Sequence, residues 1–191
     1  MTAGTPLRAP IQLPPMPLAG DRAMHVVDER LVRAPAAPMF AVARDVEHWP
    51  GYLAHYRRVR FLERAADGGG VVEMAAWRPF GLIGWPTWWV SEMSVDPHRP
   101  AIRFRHVRGI TREMEVEWTF EARPDATLVR IVHAWDGPRW PLVGVFAATE
   151  VIGPVFIHGI ASRTLEGLAR VVETWDRGSG FSVQGPLSPE S

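Results

Sequence analysis

The sequence predicts an α+β domain in which a curved, seven-stranded antiparallel sheet wraps around a long C-terminal helix. Between about Gly153 and Arg177, apolar residues recur at the i, i+3, i+4, i+7 spacing of one helical face. Between residues 56 and 136, short alternating segments are separated by turn signals, with no helix-period segment among them. This spacing indicates an antiparallel meander. A long amphipathic helix needs a large apolar partner, and the sheet supplies one.

Both ends of the chain differ in composition from this domain. Residues 1–22 contain five prolines, which fix φ and remove hydrogen-bond donors, so we expect an extended or disordered arm. Residues 178–191 are rich in Gly, Ser and Pro and predict a flexible tail. The folded, ligand-binding domain is therefore expected to cover residues 24–177.

The first half of the domain predicts a strand, two short helices and a second strand. Met24 to Arg33 has the composition of a strand, and Pro38 suits the first turn of the following helix. Pro50 disfavours a continuous helix, so a break and a second short helix or turn are expected there. Tyr56 to Arg64 is the second strand, and the remaining strands are predicted at residues 71–78, 86–95, 101–107, 112–121 and 127–136.

The segment from Arg112 to Glu121 predicts which face of the sheet is covered. Four glutamates alternate there with an apolar set, namely Met114, Val116, Trp118 and Phe120. The flanking strands carry arginines that can face the glutamates across the solvated side: Arg103, Arg105 and Arg130. This register puts His106 and His133 on the covered face, because a slip of one residue would bury the glutamates.

Composition excludes several classes of function. The formal net charge is zero, which argues against nucleic-acid binding. The chain has no cysteine, so disulfides, thiolate nucleophiles and cysteine metal sites are excluded. Histidine and carboxylate spacings typical of metal sites are absent, as are phosphate-binding and dinucleotide-binding glycine motifs, so we expect neither a metal nor a cofactor. Nine tryptophans suit a core that contains a cavity.

The apolar stretch from Trp140 to Ala161 has the length of a membrane span. Glu150, Pro141 and Pro154 argue against spanning, so we interpret it as an apolar loop that leads into the long helix. Trp85 and Trp140 stand beside prolines in predicted loops and are candidates for a cavity mouth or a rim that touches membranes. We therefore expect a cytoplasmic protein with peripheral membrane contact as a further interaction.

Two stretches carry a resemblance to a known superfamily. Residues 45–53, DVEHWPGYL, are similar to the D-x-x-x-W/Y-P-x-Y/F-L segment of the polyketide cyclase/dehydrase group. Residues 153–168 resemble the closing helix of the coenzyme-Q-binding and ribosome-association-toxin branch. The order of elements over residues 24–177 looks like the helix-grip fold of the START and birch-pollen-allergen-like (SRPBCC) superfamily.

The resemblance implies a deep cavity between the sheet and the long helix that holds a lipid, quinone, polyketide or other aromatic molecule. A mostly apolar wall with a few polar groups is what such a site requires. The predicted ligand-binding residues are the apolar residues expected on the covered faces: Trp89, Met93, Phe104, Met114, Val116, Trp118, Ile131, Trp135, Ile157 and Ala161.

Three residues are candidates for catalysis. Tyr56 lies at the place where aromatase/cyclases of the resembled group have a tyrosine that orients or protonates a ketone; its alternative role is that of a strand-start tyrosine with a satisfied hydroxyl. His106 and His133 are candidate acids or bases for aldol closure and dehydration, or else buried histidines bonded to a carbonyl. The arginine that those enzymes carry on a central strand has no counterpart in residues 88–93.

Three functions remain open from the sequence. The first is a polyketide cyclase/dehydrase that acts on a chain held by an acyl carrier protein. The second is a carrier or chaperone of a quinone or lipid, without chemistry. The third is a protein-interaction module of the ribosome-association-toxin type, which predicts an exposed basic patch that the even charge of this chain disfavours.

Overall fold

The computed structural model describes residues 7–80, 83–137 and 157–179, with side chains throughout these ranges except at 78–80, 83–85 and 176–179. These residues form seven strands and three helices. Their order is β1 (Met24–Val32), α1 (Ala36–Arg44), α2 (Trp49–Tyr52), β2 (Tyr56–Arg64), β3 (Gly70–Phe80), β4 (Ile83–Asp96), β5 (Ala101–Gly109), β6 (Glu115–Arg123), β7 (Ala126–Trp135) and α3 (His158–Ser179).

The seven strands form one antiparallel sheet in the order β1-β7-β6-β5-β4-β3-β2. The first strand returns to pair with the last, and every other neighbour follows its predecessor along the chain. Helix α3 covers the inner face and contacts β1 and α1. The predicted fold class, a seven-stranded antiparallel sheet around a long C-terminal helix, is confirmed.

The inner and outer faces of β5 and β6 follow the alternation in the sequence, except that Glu115 is only 5% exposed and lies 3.4 Å from the Arg22 guanidinium of the N-terminal arm. Trp118 is buried opposite Ile102, whereas Glu117 lies on the other face opposite Arg103. The Arg103 guanidinium Nε lies 3.3 Å from a Glu117 carboxylate oxygen, so the predicted charge pairing across the outer face is present. Arg130 instead pairs with Glu29 of β1, because that strand is its neighbour on the other side.

The short helices close one end of the sheet. Helix α1 begins at Ala36, before the predicted start at Pro38, and buries Met39 and Phe40. A 3-10 turn, Val46–His48, leads into α2, which carries Pro50 in its first turn as the fixed φ of proline allows. Trp49 is 2% exposed, and its indole N–H donates to the Val42 carbonyl at 3.3 Å. Trp49 therefore connects α2 to α1 by a hydrogen bond and is itself part of the core.

The start of β6 differs from the prediction. The predicted strand begins at Arg112, whereas β6 begins at Glu115, and residues 110–113 form a turn. The turn reverses the chain through two left-handed conformations, Gly109 at φ 101° and Glu113 at φ 71°. Only the first is at a glycine, so the sequence marked the turn at Gly109 but not its length. Met114 is still fully buried.

The N-terminal arm makes contacts that the prediction of a disordered segment did not include. The Arg8 backbone N–H donates to the Arg64 carbonyl at 2.8 Å, and the Ala66 N–H donates to the Arg8 carbonyl at 3.0 Å. Farther along, the Arg103 guanidinium donates to the Leu13 carbonyl at 3.3 Å and to the Pro14 carbonyl. A proline-rich arm still offers carbonyl acceptors, and Arg103 of β5 and the Ala66 N–H use them. Residues 1–6 and 180–191 lie outside the described residues.

Of the helices in the described ranges, none is both long and apolar enough to cross a membrane. The predicted apolar loop before α3 lies almost entirely outside those ranges. The same holds for Trp140 and for the side chain of Trp85, so the predicted rim remains a prediction.

The face assignment predicts a large difference between two neighbouring substitutions. Trp118→Ala removes a buried ring that packs 5.7 Å from Trp49 and 6.4 Å from Phe120 between ring centroids. We expect it to lower the free energy of unfolding by about 3–5 kcal/mol. Glu117→Ala breaks only a partly exposed ion pair and should cost about 1 kcal/mol or less. Denaturant melts that give equal losses for both would contradict the assignment.

Candidate functional site

A cavity of about 70 Å³ lies between α3 and the inner face of the sheet. Its wall is mostly aromatic and aliphatic, with a few polar groups, as in small-molecule sites. The polar groups are Tyr56, His106, His133 and Thr164. The remaining lining residues are Trp49, Met74, Trp89, Phe104, Met114, Val116, Trp118, Ile157, Ile160 and Ala161.

Most of the predicted ligand-binding residues lie on this wall. Those that do are Trp89, Phe104, Met114, Val116, Trp118, Ile157 and Ala161. Met93, Ile131 and Trp135 do not line it; each is at most 1% exposed and lies in filled core. The alternation along a strand predicts which side chains lie on the inner face of the sheet. It does not predict where on that face the packing leaves a cavity, so the predicted set also included residues of the filled core.

Tyr56 lines the cavity from the start of β2 and is 7% exposed. Aromatic rings surround it on three sides: Trp49 at 5.1 Å, Trp89 at 6.2 Å and His55 at 4.8 Å between centroids. Edge-to-face packing of this kind fixes the orientation of a ring. The phenol hydroxyl is thus carried on a rigid part of the wall.

His106 and His133 line the same cavity from strands on either side of β6. His106 is buried, its Nδ1 lies 2.7 Å from the Thr111 hydroxyl, and its ring stacks on Trp89 at 5.8 Å. His133 lies opposite Val116 and is partly buried. Val116 pairs with His133 on one side and with Phe104 on the other, so His106 is two residues out of line with His133, and the two backbones are about 12 Å apart. A ligand between them can contact both imidazoles, and the catalytic role of each remains a prediction.

One polar wall residue was not predicted. Thr164 is 1% exposed on the inner face of α3, and its hydroxyl lies 3.0 Å from His55 Nε2. Position 164 is seven residues after Ile157 and three after Ala161, so it has the helical spacing of the buried face, although it was not among the residues predicted there. A polar residue at a buried position of the helix was the signal in the sequence that could have indicated a functional hydroxyl. Its partner His55 could not be found in this way, because it lies in a loop that is distant in sequence.

A second polar cluster fixes the beginning of α3 to β1. The Asp28 carboxylate is 5% exposed and forms an ion pair with the His158 imidazole. Burial raises the pKa of the Asp28 carboxyl above its ordinary value, against the opposing effect of His158. The Ser162 hydroxyl donates to the His158 carbonyl at 2.7 Å and lies 3.4 Å from Asp28. A carboxylate at the first turn of a helix also interacts favourably with the helix dipole.

Metal ligands do not cluster in the described part of the chain: it contains no group of three histidine or carboxylate side chains placed to hold one ion. The polar residues on the cavity wall, Tyr56, His106, His133 and Thr164, can supply acid–base and hydrogen-bonding chemistry, and the rest of the wall supplies apolar contact.

The environment of His55 predicts a pH dependence of stability. Burial lowers the pKa of its imidazole from 6.5 to about 4, and the charge of Arg163 acts in the same direction. Unfolding restores the ordinary pKa, so this contribution is complete above about pH 6.5 and is lost as the pH falls towards 4. We expect the thermal midpoint of the wild type to fall more between pH 7 and pH 4 than that of His55→Gln. Equal decreases of the thermal midpoint in the two proteins would contradict the lowered pKa of His55.

Comparison with known proteins gives the family. A sequence model described as polyketide cyclase/dehydrase and lipid transport matches residues 32–149. A protein of Streptomyces halstedii, named as a candidate polyketide cyclase, is 29% identical over 109 residues, which span 56% of this chain and 95% of the relative.

Solved structures share the fold at low sequence identity. The Zhui aromatase/cyclase from Streptomyces sp. R1128 matches with a TM-score of 0.71 at 20% identity, over 83% of this chain and 99% of that one. A START superfamily protein from Mycobacterium smegmatis matches with a TM-score of 0.62 at 17% identity, over 78% and 97%. Because the sequence model matches more than half of the chain and the helix-grip fold agrees, this chain belongs to the polyketide cyclase/dehydrase and lipid transport family.

Proposed function

We propose that this protein binds a polyketide chain in the cavity and catalyses its cyclisation and dehydration to a cyclic or aromatic product. One observation carries the proposal: Tyr56, His106 and His133 line the same aromatic-walled cavity. The family and the names of its Streptomyces relatives support the reaction class. We further propose that an acyl carrier protein delivers the substrate, since a reactive poly-β-ketone chain has to be presented as a thioester.

The reaction requires an acid and a base on opposite sides of the substrate. A base removes a proton from a methylene group between two carbonyls, and the resulting enolate carbon attacks a ketone farther along the chain. His106 and His133 suit the role of the base because neutral imidazole exchanges protons near pH 7. The Tyr56 phenol suits hydrogen bonding to the ketone oxygen that gains charge. Loss of water from the new ring uses the same groups in reverse roles.

The size of the cavity sets a condition on binding. Its volume of about 70 Å³ is well below the roughly 300–1,000 Å³ of typical ligand pockets. It has room for several water molecules, so a fused ring system enters only when wall side chains turn away.

A non-catalytic carrier of a quinone or lipid is the second candidate. The observation that favours it is the predominance of apolar groups on the wall, together with a Thr111 hydroxyl that already engages one nitrogen of His106. A carrier needs affinity from the wall and no proton transfer. The two candidates therefore differ in what the polar wall residues do, and substitution can separate them.

Binding is tested with 1,8-dihydroxyanthraquinone as the probe. Burial of about 300 Å² of its apolar surface contributes roughly 7 kcal/mol before association costs, which corresponds to a micromolar to millimolar Kd. Tryptophan emission should change on titration because Trp49, Trp89 and Trp118 line the cavity. Ala161→Phe fills the cavity and should abolish the change, whereas Glu166→Ala, on the exposed face of α3, should leave it intact.

The binding hypothesis is contradicted if Ala161→Phe, shown to be folded by circular dichroism, gives the same titration curve as the wild type. It is also contradicted if the wild type gives no saturable signal with the anthraquinone, with a quinone or with a lipid.

Turnover separates the cyclase from the carrier. The substrate is a linear poly-β-ketone thioester of N-acetylcysteamine, and the product is measured by its aromatic absorbance. For a cyclase, at least one of Tyr56→Phe, His106→Gln and His133→Gln should lower kcat by about 10²–10⁴-fold while anthraquinone affinity changes little. A carrier should give no catalysed turnover in any variant, and its affinity should persist in all three.

A further inference from the structure

Among the α3 side chains that the structure describes, Thr164 carries the one hydroxyl that is fully buried. In the described part of this helix the other fully buried residues are all apolar, whereas Thr164 is polar and 1% exposed. A buried hydroxyl without a partner is costly, and here the partner is His55, whose Nε2 lies 3.0 Å from the Thr164 oxygen. Thr164 also lines the cavity, so its hydroxyl is available both to His55 and to a ligand.

His55 contacts Thr164 from outside the cavity. It precedes Tyr56 in the connection between α2 and β2 and is only partly buried. It lines a separate groove on the outer surface, between this connection and α3, whose charged members are Arg163, Glu166 and Arg170. The bond between His55 and Thr164 therefore links a solvent-accessible groove to the ligand cavity.

The backbone holds His55 in this position. The Trp77 N–H donates to the His55 carbonyl at 2.7 Å, which fixes the residue to the edge of β3. Leu53 packs so closely on α3 that a Cβ at Gly167 would lie 2.2 Å from its Cδ2 atom. Glycine at 167 thus lets the connection approach the helix, and this approach brings the imidazole within hydrogen-bond distance of Thr164.

The protonation state of His55 sets the direction of the hydrogen bond. Because burial and Arg163 lower its pKa to about 4, the imidazole is neutral at pH 7 and carries one proton. When that proton is on Nε2, His55 donates to the Thr164 oxygen. The Thr164 hydrogen is then free to donate into the cavity.

We propose that the Thr164 hydroxyl is a catalytic proton donor to the substrate oxygen, and that His55 is a positioning residue that orients this hydroxyl and connects it to solvent in the outer groove. The proposal rests on the cyclase function proposed above and adds two residues to the three already considered. It assigns to α3 a chemical role as well as its role in covering the sheet.

The proton transfers balance. As the enolate carbon attacks the ketone, a C–C bond forms and the π electrons of the C=O bond move to its oxygen. The Thr164 proton passes to that oxygen, the His55 Nε2 proton passes to Thr164, and Nδ1 takes a proton from water in the groove. His55 ends as the other neutral tautomer. The proton that the cavity base took from the methylene group returns to solvent, so the net charge is unchanged.

Substitution at Thr164 tests the donor, with the poly-β-ketone thioester as substrate. Thr164→Val keeps the shape and removes the hydroxyl, so kcat should fall by about 100-fold or more, while KM and the Kd of 1,8-dihydroxyanthraquinone stay within about threefold of the wild type. Thr164→Ser should restore most of the lost rate. The matched control is Thr174→Val, on the exposed face of the same helix, where the hydroxyl only donates to the Arg170 carbonyl; it should leave kcat unchanged.

Substitution at His55 tests the connection to solvent. His55→Gln can hold the Thr164 hydroxyl by a hydrogen bond but cannot switch tautomers, so kcat should fall at least tenfold with KM retained. In the double variant His55→Gln/Thr164→Val, kcat should be no lower than in Thr164→Val alone, because both changes interrupt one path. If the losses of kcat multiply in the double variant, the two residues act independently, and this would overturn the proton relay from His55 to Thr164.

The outcomes separate this proposal from the function on which it rests. A wild type that binds the anthraquinone without converting the thioester overturns the cyclase function and the relay with it. An active wild type whose folded Thr164→Val variant keeps kcat within about threefold overturns the relay alone. If Thr164→Val does not fold, His55→Gln decides in its place: an unchanged kcat overturns the relay, and a lower kcat with unchanged KM supports it.

Discussion

The structure depends on the burial of one apolar stripe, the inner face of α3. The stripe can be removed from water only by a surface that is itself apolar and curved, and the inner faces of β4 to β7 provide it. Polar contacts hold helix α3 over this surface, among them that of Asp28 with His158 at its start and that of the Glu173 carboxylate, which accepts the Arg33 backbone N–H at 3.1 Å. Because the wall beneath the helix is built from rigid aromatic rings, the packing leaves a cavity between sheet and helix.

The sequence predicts the parts of this arrangement that are local in character. Alternation along β6 gives the covered face, and the charges on β5 give the register, because any slip would bury glutamates. The predicted polar wall residues His106 and His133 follow from the same face assignment, whereas Tyr56 was predicted from the resemblance to aromatase/cyclases. A local pattern does not show where on the inner face the cavity lies. For this reason Met93, Ile131 and Trp135 were predicted to bind the ligand but lie in the filled core.

Features that need a partner far away in the chain could not be predicted. Thr164 is on the predicted stripe, but its significance comes from His55, a partner 109 positions away. The left-handed conformation of Glu113 is imposed by the hairpin around it, not by a residue that favours it. The hydrogen bonds of Arg8, Leu13 and Pro14 described above use backbone carbonyl groups, which every residue has and which therefore leave no mark in the sequence.

The position of Arg8 has a consequence for self-association. Strand β2 is an edge of the sheet, and an edge offers unpaired N–H and C=O groups to any second strand that approaches. Arg8 occupies the Arg64 carbonyl and the Ala66 N–H at one end of that edge. Along the rest of β2 the exposed positions include Arg57, Arg58 and Arg60, and charged side chains of this kind on an edge strand disfavour its pairing with a second strand. The arm and the arginines together protect the open edge of the sheet against edge-to-edge aggregation.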